Sequence, residues 1–130
     1  MVRFHEIDRA GIVYFATIFQ YCHEAYEDLL AELVGNLEEF FRTKDWGLPL
    51  VHAEADYAQP LRLGDRVRIA LRPARVGERS VTYEYTLTDE ATGAPRATVR
   101  LVHACITVPG FASRPLPDDV RAGLARLGLV

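Results

Sequence analysis

A long amphipathic segment near the N-terminus, residues 15–33, places the strongest constraint on the fold of this chain. Its apolar residues recur at intervals of three and four, the spacing that puts side chains on one stripe of an α-helix. They are Phe15, Ile18, Phe19, Cys22, Tyr26, Leu29, Leu30 and Leu33. We predict a helix that continues to about Val34 and stops at Gly35-Asn36. Because such a stripe must be covered, the rest of the chain must supply a sheet.

The remaining sequence predicts that sheet. Segments in which apolar and polar residues alternate are typical of strands with one buried face, and turn residues separate them. The predicted strands are residues 2–7, 50–57, 67–71, 81–88 and 96–108, with short helices at 37–43 and 118–127. We therefore expect one α+β domain over residues 1–130, in which a curved antiparallel five-stranded sheet wraps around one long helix. Its free edge predicts a dimer that continues the sheet.

Composition narrows the class of protein further. The chain has 130 residues, of which 49% are hydrophobic and 25% charged, as in ordinary globular domains. No apolar run approaches the roughly 18 residues of a membrane helix, and the charged N-terminus is unlike a signal peptide. We therefore expect a cytoplasmic protein. Cys22 and Cys105 fall on apolar faces without metal-ligand spacing, which predicts buried free thiols.

The net charge of −3 conceals an asymmetry between the two halves. Residues 1–60 carry four basic and eleven acidic side chains, whereas residues 61–130 carry eleven basic and seven acidic ones. Nucleic-acid-binding domains are usually basic overall, which argues against such a partner. The arginines concentrated in residues 62–79 fit either a small polyanion such as a phosphate group or a solvated strand face.

An acidic residue directly before the long helix is the main candidate for chemistry. Asp8 begins the loop Asp8-Arg9-Ala10-Gly11-Ile12-Val13-Tyr14-Phe15, and the glycine lets the backbone turn into the helix. Free N–H groups and the positive end of the helix dipole collect at that point. The loop therefore predicts a carboxylate beside an anion-stabilising helix end, although an aspartate here also commonly serves as a simple cap.

This loop and the order of elements resemble the hot-dog-fold acyl-CoA thioesterases of the 4-hydroxybenzoyl-CoA thioesterase type. The resemblance covers nearly the whole chain, and Gly64-Asp65-Arg66 belongs to it. Two further segments, Cys22-His23-Glu24-Ala25-Tyr26-Glu27 and Leu48-Pro49-Leu50-Val51-His52-Ala53, are similar to the subgroup that acts on 1,4-dihydroxy-2-naphthoyl-CoA. The implied activity is hydrolysis of that thioester to the free naphthoate and CoA, a step in phylloquinone or menaquinone synthesis.

The resemblance also implies roles for individual residues. Asp8 becomes the catalytic carboxylate, either as nucleophile or as the base that activates water. The backbone N–H of Phe15 becomes the oxyanion donor, and Gly11 gives the backbone room to approach the carbonyl. Tyr14 is a candidate for the acyl pocket or for the core or subunit interface. His23 is a candidate for the substrate hydroxyl, reached from the neighbouring subunit, or a half-exposed helix residue without substrate contact.

The remaining implied sites are less specific. His52 lies on the face opposite Val51 and Ala53, which favours either the pocket or an interface. Arg75, Arg79 and Ser80 stand where relatives hold the CoA phosphates. The chemistry requires no cofactor, and no metal-ligand set or dinucleotide fingerprint is visible in the sequence. Relatives assemble as dimers or tetramers of dimers with the active site at the subunit interface, which is what we expect here.

Three alternatives stay open at this point. The first is a thioesterase for another acyl group, such as hydroxybenzoyl or a fatty chain. The second is a hot-dog dehydratase, which the absence of a matching histidine loop disfavours. The third is an acyl-CoA-binding module without catalysis, because one fold hosts many functions.

Overall fold

Four antiparallel strands form the main sheet of this protein, in the spatial order β2-β5-β4-β3. A computed structural model of the chain describes residues 1–127. The main strands are β2 (Leu50–Tyr57), β3 (Val67–Val76), β4 (Ser80–Asp89) and β5 (Pro95–Ala104). A separate two-stranded ribbon pairs β1 (Trp46–Gly47) with β6 (Ile106–Thr107). The helices are α1 (Thr17–Val34), α2 (Leu37–Thr43) and α3 (Asp118–Arg126).

Helix α1 packs across the sheet, as its apolar stripe predicts. Its buried residues are Ile18, Cys22, Tyr26, Leu29 and Leu33. They meet the inward side chains of β4 and β5, in which every second residue is buried. The ring of Tyr26, for example, lies 5.5 Å from that of Tyr83. The α+β fold with one long helix on an antiparallel sheet is therefore confirmed, and both cysteines are buried free thiols as predicted.

The predicted first strand, residues 2–7, is wrong. Residues Phe4–Glu6 form a short 3₁₀ turn instead. The carboxylate of Glu6 accepts the Arg3 N–H at 2.7 Å, and the Glu6 N–H donates to the Arg3 carbonyl. These bonds close the backbone on itself, and only Ile7 makes an isolated bridge, to Val13. The main sheet consequently has four strands rather than the five expected.

Two strand predictions and the predicted start of the long helix need smaller corrections. The predicted strand 96–108 is divided at Cys105, whose N–H still donates to the Arg79 carbonyl at 2.8 Å but whose carbonyl accepts the Arg114 N–H at 3.1 Å. Strand β3 continues beyond the predicted residue 71 to Val76, with a bulge after Pro73. The helix begins at Thr17, and Phe15, which the stripe included, is 59% exposed.

Strand β2 matches its predicted bounds but not its predicted burial. Val51 is 60% and Tyr57 49% exposed, and only Ala55 of the strand is partly buried. The reason is position, because β2 is an edge strand and only β5 borders it. The alternation of apolar and polar residues along β2 therefore identifies an apolar face of the strand that the described part of this chain leaves largely exposed.

Candidate active site

The Asp8 loop is a tight backbone turn that closes on itself. The Asp8 N–H donates to the Ile12 carbonyl at 2.8 Å, and the Gly11 N–H donates to the Asp8 carbonyl at 3.0 Å. Gly11 has φ +81°, a conformation that residues with a side chain rarely adopt. A Cβ at Gly11 would meet no protein atom within 4 Å, so the glycine is required here by its backbone angle.

Three contacts dock this loop onto the rest of the domain. The Val13 N–H donates to the Leu61 carbonyl at 2.8 Å, and Ile12 forms an antiparallel bridge with Arg62. The Tyr14 N–H donates to the Glu6 carbonyl at 3.0 Å. Because these bonds hold both sides of the turn, the position of Asp8 relative to the helix start is fixed by the fold.

The carboxylate of Asp8 is exposed and only partly engaged. Its Oδ1 atom accepts the Ala10 N–H at 2.8 Å, which fixes the side chain against its own loop. Within residues 1–127 no protein group donates to Oδ2. One carboxylate oxygen is therefore available to a substrate or a water molecule.

Phe15, two residues before α1, has a free backbone amide and lines the same cleft as Asp8. The Tyr14 carbonyl accepts the Thr17 N–H at 2.9 Å. In a trans peptide the N–H points opposite to the C=O, so the Phe15 N–H points back, out of the helix. It has no acceptor in the part of the chain that the structure describes. The first turn of α1 also contains no acidic side chain, so no residue of the helix itself neutralises the positive end of the helix dipole there.

These groups line a cleft of about 410 Å³. Its walls come from four parts of the chain: the Asp8 loop, the start of α1, the end of β2 with the segment that follows it, and the start of β5. They are residues Asp8, Ile12 to Phe15, Ile18, Tyr57 to Leu61, Arg96 and Ala97. The wall is largely apolar apart from Asp8 and a few polar groups. A carboxylate and an amide donor inside such a cleft can attack a carbonyl carbon and stabilise the oxyanion that forms.

Tyr57 is a cleft residue that the sequence analysis did not single out. Its hydroxyl donates to the Phe15 carbonyl at 2.6 Å, over a separation of 42 residues. Burial raises the pKa of Tyr57 above its usual range, which keeps the hydroxyl protonated. The alternating pattern of β2 indicated its face but carried no signal for this contact.

Arg96 was also missed, and it holds the opposite wall of the cleft. Its guanidinium donates to the Pro60 carbonyl at 3.1 Å and pairs with Asp89 at 2.9 Å. The two charged side chains are only 18% and 13% exposed. The hydrogen bond from Arg96 lowers the pKa of Asp89, which keeps the pair charged. This ion pair ties the wall residue Pro60 to the β4–β5 turn.

A second, more apolar pocket of about 420 Å³ lies farther along α1. Its polar residues include His23 and His103, and its apolar lining comes from α1, α2 and the chain around the β1–β6 ribbon. The apolar and aromatic members are Tyr26, Leu30, Phe40, Phe41, Trp46, Leu48, Pro49, Leu50, Ile106, Val108 and Phe111. His23 follows Phe15 by eight residues, about 12 Å along a helix. The two pockets are therefore separate sites within one chain.

The structure divides the predicted site residues among different places. Asp8, Tyr14 and Phe15 line the first cleft together, with Gly11 in the adjoining loop, and His23 lines the second pocket. His52 lies on the outer face of the sheet, where its Nε2 is 3.4 Å from Glu54. That face is opposite α1, because β2 residues on the helix side pair with the buried residues of β5.

The predicted CoA-binding residues lie at the far end of the sheet from the Asp8 cleft. Ser80 begins β4, whereas Leu87 pairs with the cleft residue Ala97. Seven residues of strand separate them, about 23 Å. Arg79 donates to the hydroxyl of Ser113 at 3.2 Å, and Arg75 is exposed. Within one chain, these residues and Asp8 are not brought together.

Two further properties of the described chain bear on the type of site. Among residues 1–127, no group of three or more His, Cys, Asp or Glu side chains could hold a metal ion. No helix in that range combines the length and the apolar character needed to cross a membrane.

The helix-wrapped sheet and the cleft at the start of its helix define a hot-dog thioesterase fold. Residues 2–124 match the Thioesterase-like superfamily, and the chain belongs to that family. The predicted family resemblance is thereby confirmed.

Individual relatives agree with this assignment. The chain is similar to the 1,4-dihydroxy-2-naphthoyl-CoA hydrolase of Thermosynechococcus vestitus, with 37% identity over 95% of this chain and 84% of the relative. It is 39% identical to the hydrolase of the same name from Synechococcus elongatus, over 93% of this chain and 88% of the relative. Among solved structures it resembles Slr0204, a 1,4-dihydroxy-2-naphthoyl-CoA thioesterase from Synechocystis. The TM-score is 0.89 and the identity 30%, over 98% of this chain and 93% of that one.

Proposed function

We propose that this protein hydrolyses an aryl-CoA thioester, 1,4-dihydroxy-2-naphthoyl-CoA, to the free naphthoate and CoA. One observation carries the proposal: Asp8 and Phe15 line the same cleft. Among the described residues, the Phe15 N–H has no acceptor and only one oxygen of the Asp8 carboxylate accepts a hydrogen bond. The names of the relatives over nearly the full chain support the choice of substrate.

The chemistry needs only these two groups and water. Asp8 either attacks the thioester carbon itself or removes a proton from the attacking water. The carbonyl oxygen becomes negative as the new C–O bond forms, and the Phe15 N–H donates to it. The C–S bond then breaks, and the thiolate leaves and takes up a proton. In the covalent route, water subsequently hydrolyses the anhydride with Asp8.

We further propose that the protein acts as a dimer formed through β2. This edge strand carries no proline, lysine or arginine and leaves apolar residues exposed. The other edge, β3, contains Pro73, a bulge and several arginines, features that hinder pairing. A twofold axis perpendicular to the sheet joins two β2 strands antiparallel and keeps both α1 helices on one face.

Such a dimer brings the two pockets together across the interface. Leu50 at the start of β2 borders the second pocket, and Tyr57 at its end borders the Asp8 cleft. Antiparallel pairing around the middle of the strand sets the Leu50 end of one subunit against the Tyr57 end of its partner. The aryl group then enters the apolar pocket of one subunit while its thioester meets Asp8 of the other. In this arrangement His23 reaches a ring hydroxyl.

The same symmetry accounts for the distant arginines. Ser80 and its neighbours lie at the end of the sheet that contains His103, because Ser80 pairs with Ala104. In the dimer this end adjoins the partner's cleft, so we propose that Arg75, Arg79 and Ser80 hold the CoA phosphates there. Tyr14 lines the acyl path, and His52 stays a candidate for the subunit interface.

The free thiols of Cys22 and Cys105 suit the reducing cytoplasm, where we place the protein.

A panel of CoA thioesters tests the proposal. We expect the purified protein to release thiol from 1,4-dihydroxy-2-naphthoyl-CoA with a higher kcat/KM than from 4-hydroxybenzoyl-CoA or fatty acyl-CoA. Preference for another acyl group would replace the substrate and keep the chemistry. Tight binding of CoA esters without hydrolysis would instead identify a binding module.

The variant Asp8→Asn tests the mechanism. The amide oxygen can still accept the Ala10 N–H, so we expect the fold to be retained while kcat falls at least about a hundredfold. Full activity of this variant would overturn the role of Asp8. Single turnover in ¹⁸O-labelled water separates the two routes, because label in the Asp8 carboxylate requires nucleophilic attack.

A further inference from the structure

The backbone carbonyl of Phe15 is held from outside the helix. An α-helical bond would bring the Phe19 N–H to this carbonyl, but that N–H donates to Ala16 at 3.1 Å instead. In the described chain, the only group that donates to the Phe15 carbonyl is the hydroxyl of Tyr57, at 2.6 Å. A side chain on the sheet thus satisfies a carbonyl at the start of the helix.

The two peptide groups that flank the Phe15 Cα are fixed by different partners. Thr17 holds the preceding peptide, which carries the Phe15 N–H, through the Tyr14 carbonyl. Tyr57 holds the following peptide through the Phe15 carbonyl. With both peptides fixed, neither φ nor ψ of Phe15 is free to rotate, and the direction of its N–H is determined. Without the Tyr57 bond, only one of these two restraints remains.

We infer that Tyr57 is a positioning residue for the oxyanion donor, because its hydroxyl holds the turn that aims the Phe15 N–H into the cleft. The inference rests on the proposed thioesterase function. Tyr57 is the last residue of β2 and pairs with Ala97, which lies in the cleft wall. The phenol therefore spans from the sheet edge to the start of α1. It links the strand proposed for dimer formation to the donor of the reaction.

The energetic consequence follows from how oxyanion donors work. A donor stabilises the transition state only if it already points to the place where charge develops. Loss of one neutral hydrogen bond corresponds to roughly a two- to twelvefold effect. Because Tyr57 acts on the donor rather than on substrate binding, its loss should appear in kcat and not in KM.

The test compares two phenylalanine variants with 1,4-dihydroxy-2-naphthoyl-CoA as substrate. Tyr57→Phe keeps the ring and removes the hydroxyl, and we expect kcat to fall about three- to tenfold while KM changes less than twofold. Tyr21→Phe is the matched control, because the Tyr21 hydroxyl donates at 2.9 Å to the Glu6 carboxylate, outside the Asp8 cleft, and not to the Glu6 carbonyl that holds Tyr14. We expect Tyr21→Phe to retain both kinetic constants.

A spectroscopic measurement separates the role of Tyr57 from general loosening of the fold. In protein labelled with ¹⁵N-alanine, the amide of Ala16 shares its peptide group with the Phe15 carbonyl. We expect its resonance to shift in Tyr57→Phe and to stay in place in Tyr21→Phe. An unchanged kcat, a change in KM alone, or an unshifted Ala16 resonance would each overturn the inference. A wild-type protein that hydrolyses no thioester would overturn the proposed function instead.

Discussion

The imidazole of His103 stacks on the phenol ring of Tyr26, with ring centroids 4.3 Å apart and planes inclined by 18°. His103 is 1% exposed, and its Nδ1 lies 2.8 Å from the Leu48 carbonyl. Because a carbonyl can only accept, Nδ1 carries a proton, and desolvation lowers the pKa of the ring, which favours its neutral form. The groups that face it are Tyr26, Tyr83 and, through space, His23. No motif or spacing in the sequence marks His103, yet this histidine lies in the wall of the second pocket.

This burial predicts that the protein loses stability in mild acid. Desolvation is the main cause that lowers the pKa of His103. Below about pH 6.5 an unfolded histidine takes up a proton, whereas the folded ring stays neutral to lower pH. The contribution of His103 to the free energy of unfolding is therefore fully present above about pH 6.5 and decreases as the pH falls below that value. Urea denaturation at pH 8, 6 and 5 measures the effect.

The variant His103→Asn isolates this contribution from other titrating groups. Its amide nitrogen occupies the position of Nδ1 and can still donate to Leu48, but it does not titrate. We expect a smaller loss of stability between pH 8 and 5 than in the wild type. Equal losses in both proteins would show that His103 is not the responsible group.

Two glycine-to-alanine variants distinguish the stability cost of a positive backbone φ angle from an effect on catalysis. Gly11 and Gly93 have φ of +81° and +75°, and a Cβ at either would meet nothing within 4 Å. Both substitutions should therefore cost about 1–2 kcal/mol of stability from the backbone angle. Only Gly11→Ala should also lower kcat, by about tenfold or more, because its loop carries Asp8. Denaturation and steady-state kinetics are the measurements, and a similar kcat in both variants would contradict the prediction.

A charge in the middle of β2 should break the proposed dimer. Near the twofold axis, Ala53→Glu places two carboxylates close together, where like charges repel. We expect a monomer in sedimentation equilibrium, with loss of thioesterase activity because each site needs both subunits. Ala70→Glu makes the same substitution on β3, the opposite edge strand, and should leave assembly unchanged. A dimeric, active Ala53→Glu protein would exclude β2 as the interface.

The role of His23 can be tested by matched substrates. If its imidazole bonds a ring hydroxyl, His23→Ala should lower kcat/KM for the dihydroxynaphthoyl ester by roughly fivefold, as expected for one hydrogen bond. The ester of 2-naphthoic acid, which lacks both hydroxyls, should be affected much less. His23→Gln, which can still donate, should recover part of the loss. Equal effects on both esters would indicate packing rather than recognition.

The sequence was sufficient to predict the elements with strong local signals. The stripe from Ile18 to Leu33 predicted α1, because a helix repeat can be read from spacing alone. The bounds of β2 matched those predicted, and β3 and β4 were recognised from their alternation. The Asp8 loop also carried a local signal, since an acid, a glycine and a helix start lie within ten residues.

Prediction from local sequence pattern failed where contacts with residues distant in the sequence decide the secondary structure or the burial of a segment. Residues 2–7 were predicted as a strand, but the Glu6 carboxylate closes a turn within them. Val2 bonds to Gly64 and Asp65 and Ile7 bridges Val13, and these separate contacts do not form a continuous ladder. The exposure of β2 depended on its place at the sheet edge, which the order of strands along the chain does not reveal.

The sequence by itself determined a buried helix, an antiparallel sheet and an acid at the helix start, because each follows from the spacing of nearby residues. Only the tertiary structure decided that Tyr57 holds the Phe15 carbonyl, that Arg96 ties down Pro60, and that His23 and Asp8 lie in separate pockets. The residues in these relationships are 15 to 42 positions apart in the sequence. Distances of this kind are set by how the sheet and helix pack, and no local pattern encodes them.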